Sequence, residues 1–396
     1  MAFLYDYQQE AVNKMKNGCI LCGGVGSGKS RTGLAYYFLR QGGDLNDVSS
    51  VNIIKPLYII TTARKRDTYE WENEMTAFGI SAIVDSWNNI TKYAKVKNAF
   101  FIFDEQRVVG YGTWSKTFIK IAKHNEWILL TATPGDTWLD YIPVFIANGF
   151  YKNKKEFNEQ HVIYTNKRLK DNKTYPVVSG YIGVGRLLRL RNDILINMKY
   201  KTSADMHKEF VNVSYPVLDY KLAMKERHDL ETEVPFDNAA ALCYYLRKLV
   251  NSYPDRVKAT VEIAERHGKV IIFYSYDYEL DALKKAFKET DFAIAEWNGH
   301  RHEPIPKTDK WVYLVNYLAG AEGWNCILTD TIIFYSQSYS YKTMVQASGR
   351  INRLNTPFSV LYYYNLRSNA PIDIAITKAL KEKKNFNETL FVRDSR

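Results

Sequence analysis

The sequence is poor in the residues that cross-link or metallate small domains. It has four cysteines in 396 residues, Cys19, Cys22, Cys243 and Cys326, too few and too scattered for a disulfide framework. Cys19 and Cys22 form a C-x-x-C pair, but they sit in a short apolar run that reads as a strand. Positions three apart on a strand point to opposite faces, so the two thiols do not converge on a metal. The seven histidines include no H-E-x-x-H pattern, and His300-Arg301-His302 reads as a loop. No apolar run approaches the length of a membrane span, and the N-terminus has no signal-peptide pattern. Negative charge is in deficit, with 43 Asp and Glu against 54 Lys and Arg and a net charge of +11. These absences argue against a secreted disulfide scaffold, a membrane protein and a zinc hydrolase. What is left is an intracellular, reduced, soluble chain whose charge favours a polyanionic partner, most simply nucleic acid.

The length suggests two domains with connecting material, and 46% hydrophobic residues are enough for real cores. The strongest local feature is Cys19-Ile-Leu-Cys-Gly-Gly-Val-Gly-Ser-Gly-Lys-Ser-Arg31, which carries G-x-x-x-x-G-K-S from Gly23 to Ser30. A short apolar run precedes it, and a helical run, Arg31 to Arg40, follows. Strand, glycine loop and helix are the context that a phosphate-binding loop requires. Its glycines, Gly26 and Gly28 among them, let backbone N–H groups curl around phosphate at a helix N-terminus. Lys29 would reach the β- and γ-phosphates of ATP and Ser30 would bind Mg²⁺. Just upstream, Leu4 to Lys16 reads as an amphipathic helix with Asp6 and Gln9 as a capping box. Gln8 on it has an amide that can both donate to and accept from an adenine edge.

Downstream, apolar runs alternate with helical ones. Leu57 to Ile60 ends in Thr61-Thr-Ala-Arg-Lys-Arg66, and a helix is expected over Asp67 to Phe78. Ile80 to Val84 ends at Asp85-Ser-Trp87. Ala99-Phe-Phe-Ile-Phe103 ends in Asp104-Glu-Gln-Arg107, and Trp127 to Leu130 ends in Thr131-Ala-Thr-Pro134. Continuous apolar strands alternating with helices predict a parallel sheet covered on both faces, with its ligand site at the strand C-termini. Every polar cluster just named falls there. Asp104 would hold Mg²⁺, and Glu105 would orient and deprotonate an attacking water. From about Asn148 to Phe236 the chain becomes rich in Lys and Arg, as in Arg186-Leu-Leu-Arg-Leu-Arg191, with Glu209 to Ser214 expected as an isolated strand. A second alternating set follows, without a phosphate loop. It carries Gly320-Ala-Glu-Gly-Trp-Asn325 and then Gln346-Ala-Ser-Gly-Arg-Ile-Asn-Arg353, which is expected on a helix. Arg350 and Arg353 would then share a face and act as arginine fingers toward a phosphate held by the first domain.

In their order, Tyr7-Gln8, Gly23 to Ser30, Asp104 to Arg107, Thr131 to Pro134, Gly320 to Asn325 and Gln346 to Arg353 resemble the motifs of superfamily-two helicases. Gly320 to Asn325 and Leu130-Thr-Ala-Thr-Pro-Gly135 with Trp138-Leu-Asp-Tyr141 are similar to the Swi/Snf-type branch, and the tail from Pro371 resembles its closing helix. The resemblance implies an α/β protein with two RecA-like parallel-sheet domains, an ATP cleft between them and a basic connecting region. The divisions would be 1–150, 151–236 and 237–396. It implies that Gln8 contacts adenine, that Lys29, Ser30, Asp104 and Glu105 run Mg-ATP hydrolysis, and that Arg350 and Arg353 complete the site, with Gln346 nearby. It places Thr62, Arg64, Trp87, Tyr274 and Ser275 against a nucleic-acid backbone. The second motif departs from the Asp-Glu-Ala-His and Asp-Glu-Ala-Asp forms, so Gln106 and Arg107 receive no role. The size and the richness in Lys, Asn and Tyr resemble compact motors of bacteriophages with AT-rich genomes, which would place the protein in the host cytoplasm.

The function expected is an ATP-dependent DNA helicase or translocase. An RNA helicase or remodeller shares the same motifs, because motor contacts go mainly to phosphates. A non-motor P-loop switch is the third reading, and the Gln346 to Arg353 element argues against it. Any nuclease, primase or deaminase activity would come from a partner protein of replication or recombination.

Overall fold

A computed structural model of the chain describes residues 4–105, 108, 110–135, 137–168, 174–199, 204–320, 326–353 and 355–395. The chain forms two compact units, Met1–Tyr200 and Lys201–Arg396. The basic stretch 151–236 is therefore shared, its first part packed with unit one and its second with unit two.

The first unit is built on runs that are apolar at every position. Phe100, Phe101, Ile102 and Phe103 are all fully buried. Side chains alternate across a strand, and Phe101 and Phe103 join one core cluster while Phe100 and Ile102 join another. Both faces are covered, and that is why alternation with polar residues is missing. The strands in chain order are β1 (Ile20–Cys22), β2 (Leu57–Thr61), β3 (Ile83–Ser86), β4 (Phe100–Asp104) and β5 (Glu126–Thr131). They continue with the hairpin β6 (Val162–Arg168) and β7 (Thr174–Tyr181), and then β8 (Leu195–Asn197). The main sheet runs β3-β2-β4-β5-β1-β8 and every pairing in it is parallel. β6 and β7 pair antiparallel as a separate sheet, a hairpin that the sequence reading did not foresee.

Two local expectations need correction. The helix expected over Asp67 to Phe78 is two short helices, Ala63–Asp67 and Glu70–Thr76, because Tyr69 adopts a left-handed φ of 55° between them. The opening helix, Asp6–Lys14, is capped one residue earlier than expected: Gln8 Oε1 accepts from the backbone N–H of Tyr5 at 2.9 Å. The basic run Arg186 to Arg191 lies on helix Val184–Ile194, which buries Leu187 and Ile194. Its cations stack inward in part, with Arg186 over Tyr151 and Arg191 over Trp138.

The second unit repeats the design. Its strands are β9 (Asp205–Asn212), β10 (Lys269–Tyr274), β11 (Ala293–Trp297), β12 (Trp311–Asn316), β13 (Thr331–Phe334) and β14 (Val360–Arg367). The sheet order is β11-β12-β10-β13-β14-β9, again parallel at every pairing. Ile271 and Phe273 face one core, and Val270, Ile272 and Tyr274 face the other. The strand expected to stand alone near Glu209 is β9, and it pairs with β14 along its whole length. Each unit is thus a RecA-like doubly covered parallel sheet. Beneath the second sheet, the buried Arg256 reaches the carbonyls of Tyr335 and Leu366 and pairs with Asp373 at 2.7 Å.

Candidate active site

Parallel register brings the polar strand ends of the first unit to one edge. Cys22 lies opposite Thr131, and Asp104 opposite Leu130. Gly23, the first loop residue, donates its N–H to the Thr131 carbonyl at 3.1 Å. The loop then curls through Gly26 and Gly28, with φ of 82° and 73°. These are left-handed values that a side chain resists. Gly28 is the N-cap of helix Lys29–Arg40, so the first amides of that helix face the loop's concavity, as phosphate binding requires.

Lys29 Nζ donates to the carbonyls of Gly23 and Gly24, both at 2.9 Å. Burial pushes its pKa down to about 8, with Lys65 adding to the fall while Glu105 and Asp104 oppose it. Ser30 stands in the first turn of the same helix. Gln8 is buried, and both ends of its amide are engaged: Oε1 with Tyr5 N–H, and Nε2 with the Gly28 carbonyl at a long 3.4 Å. Tyr7 Oη also reaches the loop, donating to the Ser27 carbonyl at 3.1 Å. The opening helix is thereby tied directly to the phosphate loop.

Asp104 ends β4 and is 1% exposed. Thr61 Oγ1 at 2.7 Å, Lys65 Nζ at 2.8 Å and Trp71 Nε1 at 3.3 Å all donate to one oxygen, Oδ2, and Oδ1 takes none of these bonds. Burial by itself would raise the carboxyl pKa, but the Lys65 charge, the bonds from Lys65 and Thr61, and Lys29 hold it below the ordinary carboxylate range. Glu105 follows with φ at 57°. Its Oε2 is buried without a hydrogen-bond partner among the described residues, and Oε1 lies 4.0 Å from Lys65 Nζ. A side chain held in left-handed geometry with an unmet buried oxygen is strain of the kind that gathers at functional sites. A carboxylate with an uncommitted oxygen, a hydroxyl in the helix's first turn and a glycine cradle form an oxygen-donor set suited to Mg²⁺ with phosphate. The residues present therefore fit Mg-ATP, with Ser30 and Asp104 on the metal side. Among the described residues there is no cluster of three or more His, Cys, Asp or Glu that could hold a metal by itself. Cys19 is buried in the core, which pushes its thiol pKa up to about 12.

The other residues singled out in the sequence fall in several places. Thr62 caps helix Ala63–Asp67, accepting from Lys65 N–H at 3.3 Å, and Arg64 lies half-buried on that helix. Trp87 is 3% exposed, and its Nε1 donates to the Asp104 backbone carbonyl at 2.8 Å. It sits under the site as a support, and its ring is out of reach of a nucleic-acid backbone. Tyr274 is fully buried in the second unit's core, which removes it from such a contact for the same reason. Ser275 is half-buried; its N–H donates to the buried Glu279 at 2.7 Å and its hydroxyl meets Ser336 at 3.2 Å.

Gln346 lies buried on helix Tyr341–Ser348. That helix stops at Gly349, so Arg350 and Arg353 lie beyond it and do not share a helical face as expected. Arg350 is 4% exposed and folds back, its Nε donating to the Gln346 carbonyl at 2.9 Å. Residues 106, 107 and 321–325, with most of the Gly320 to Asn325 motif, lie outside the described residues. Sequence reasoning missed Lys65, Thr61 and Trp71 as partners of Asp104. Only the cluster Thr61 to Arg66 at a strand end signalled them.

No family model matches the chain. Over 135 residues it is 26% identical to the ISWI chromatin-remodeling complex ATPase ISW2 of Saccharomyces cerevisiae, a match covering 32% of this chain and 12% of that protein. The chain is similar there to a Swi2/Snf2-type ATPase. The chain thus matches about an eighth of that relative's length (12%). Among solved structures, the Sulfolobus solfataricus SWI2/SNF2 ATPase core in complex with dsDNA aligns over 99% of this chain and 92% of its own, at 15% identity and a TM-score of 0.42. No helix among the described residues is long and apolar enough to cross a membrane.

Proposed function

We propose that the protein is an ATP-hydrolysing motor of the Swi2/Snf2 branch that moves along DNA. The observation that carries this reading is the strand-end edge shared by β1 and β4, with β5 between them: a phosphate loop at the end of one, and at the end of the other Asp104 followed by a Glu105 in strained geometry with an uncommitted oxygen. The 135-residue similarity to a remodelling-complex ATPase supports the branch, and the net charge of +11 supports a polyanionic track.

Each residue has a task in this scheme. The loop amides and Lys29 hold the phosphates; in their absence Lys29 rests on the carbonyls of Gly23 and Gly24. Ser30 and Asp104 hold Mg²⁺, which neutralises phosphate charge when bound. Glu105 takes a proton from water at Oε2, while Trp71 holds the Asp104 carboxylate and Trp87 the Asp104 backbone carbonyl. Gln8 reaches the adenine by giving up its bonds to Tyr5 N–H and the Gly28 carbonyl. Arg350 and Arg353 are the cations assigned to the γ-phosphate, Arg350 once it gives up its bond to the Gln346 carbonyl. Thr62, Arg64 and Ser275 meet the nucleic-acid backbone, with a partner protein of replication or recombination setting where the motor acts.

The test is steady-state ATP hydrolysis at low salt with no nucleic acid, single-stranded DNA, duplex DNA, forked DNA and RNA in parallel. Stimulation by duplex DNA is expected, lost in Glu105→Gln. Hydrolysis equal in all five arms refutes the motor. Stimulation by forks or single strands alone makes it a strand-separating helicase, and by RNA alone replaces DNA as the track.

A further inference from the structure

Lys65 has no part in the scheme above, yet it sits at its centre. It is the cation paired with Asp104, at 2.8 Å, and it lies 4.0 Å from Glu105. Its side chain is only 19% exposed. Lys29 and Lys65 together face the same two carboxylates, so charge at the strand ends is balanced before any ligand arrives. A divalent cation brought to Asp104 meets the Lys65 charge at bonding distance from the same carboxylate, and like charges that close exclude one another in a poorly hydrated site.

The backbone around Lys65 links this pair to a second place. Helix Ala63–Asp67 is one short turn following β2. Its cap is the Thr62 hydroxyl, which is taken by the N–H of Lys65 itself. Arg64 precedes Lys65 on the same turn. On the far side, Arg66 ties the turn to Asp85 at 3.3 Å, and the left-handed Tyr69 ends it. A phosphate that accepts from the Thr62 hydroxyl and the Arg64 guanidinium pulls on the turn that carries Lys65, while the Thr62 oxygen goes on accepting from Lys65 N–H.

We propose that Lys65 couples nucleic-acid binding to the magnesium site, holding Asp104 and Glu105 until a backbone phosphate at Thr62 and Arg64 draws it away. The inference rests on the functional reading above. Lys65 is here a positioning residue that acts through Asp104. Without DNA it keeps the carboxylate from the metal; with DNA the carboxylate is released and the uncommitted Glu105 oxygen is free to serve water. In this way a nucleic-acid-stimulated ATPase avoids turnover off its track.

The test reads binding, not turnover. A fluorescent ADP analogue is titrated with Mg²⁺, with and without a random-sequence duplex, and the half-saturating Mg²⁺ is recorded. For the wild type it is expected to fall about 5-fold or more when duplex is added. Lys65→Gln is expected to show the low value without DNA and no further response. Lys65→Arg, which keeps the charge, is expected to retain the wild-type pattern. Mg²⁺ should also raise the melting temperature of Lys65→Gln more than that of the wild type, since the metal replaces a lost cation beside a buried carboxylate. Thr62→Val, which removes the proposed phosphate donor together with the cap on Lys65 N–H, is expected to lose most of the DNA-induced shift.

The proposal is overturned if Lys65→Gln, folded by its melting curve, keeps the wild-type Mg²⁺ requirement and DNA response, which would make Lys65 a structural ion pair. A full wild-type response in Thr62→Val overturns it equally. Failure of the functional reading looks different: the wild type then hydrolyses ATP equally in all five arms of the assay above, or binds no Mg-nucleotide at all.

Discussion

Glu105 offers a prediction in which chemistry and stability separate. Its φ of 57° costs a residue with a Cβ roughly 1–2 kcal/mol. Asparagine tolerates this region because its short side chain bonds locally; glutamine does not. Glu105→Gln should therefore remove the base while leaving the strain, and Glu105→Asn should remove the base and relieve about half of the strain. Recovering about half of the strain gives Glu105→Asn roughly 0.5–1 kcal/mol over Glu105→Gln. For a cooperative unit of about 200 residues that is about 1–4 °C in melting temperature. Loss of the Lys65–Glu105 contact at 4.0 Å subtracts little, since Lys65 keeps Asp104 at 2.8 Å. Turnover should fall in both variants by about 10²–10⁴, the contribution of a positioned general base, or about 3–5 kcal/mol of barrier. The assays are duplex-stimulated ATP hydrolysis, fluorescent-nucleotide titration and thermal melting on the three proteins, with nucleotide affinity retained throughout. If Glu105→Asn melts no higher than Glu105→Gln, the strain argument is wrong. If either variant turns over within tenfold of the wild type, Glu105 is not the base.

Three other outcomes are expected. Lys29→Ala, which removes the two bonds to Gly23 and Gly24 and one of the two cations facing Asp104 and Glu105, should weaken nucleotide binding by about tenfold or more, as read by the same titration. Arg256→Ala should destabilise the second unit by about 3–5 kcal/mol in urea unfolding, because it strands the buried Asp373 carboxylate and the carbonyls of Tyr335 and Leu366. Asp85 sets part of the acid limb. Burial raises its pKa, but bonds from Asn89, Tyr93, Ser86 N–H and Arg66 outweigh burial and bring it to about 2, below the unfolded value of about 3.9. Its stabilisation is therefore complete above about pH 4 and is lost as pH falls through about 2. Asp85→Asn should melt lower at neutral pH and show a shallower loss between those values.

Both sheets were legible because buried parallel strands leave a signal that few other structures share: a run apolar at every position, ending in a polar cluster. β4 and β5 read this way, and their last residues proved to be Asp104 and Thr131. The phosphate loop was legible for a related reason, since its glycines answer a backbone need that shows in the sequence itself. Burial was not legible at the strand ends. Trp87 and Tyr274 stand beside strand termini exactly as surface contacts would, and only packing shows that one supports Asp104 from below and the other fills a core. β9 was misread as isolated because its partner β14 lies about 150 positions away, beyond any local pattern. The helix expected through Arg353 ended early because Gly349 closes it, a small residue whose effect depends on tertiary context.

Lys65 shows why pairings are harder to read than motifs. A motif records what a ligand requires, and ligands are few. The partner of a buried carboxylate can come from any neighbouring strand end, and the sequence holds 54 lysines and arginines. Register narrows the choice: β2 lies beside β4, with Ile60 opposite Phe103, so Thr61 and the turn after it must face Asp104. A cation in that turn was therefore bound to influence the magnesium carboxylate. The same turn carries Thr62 and Arg64, the half-buried residues proposed to meet the track. One stretch of six residues thus holds both the cation paired with Asp104 and the residues proposed to meet the polymer, and communication between them needs no longer path than the Lys65 side chain.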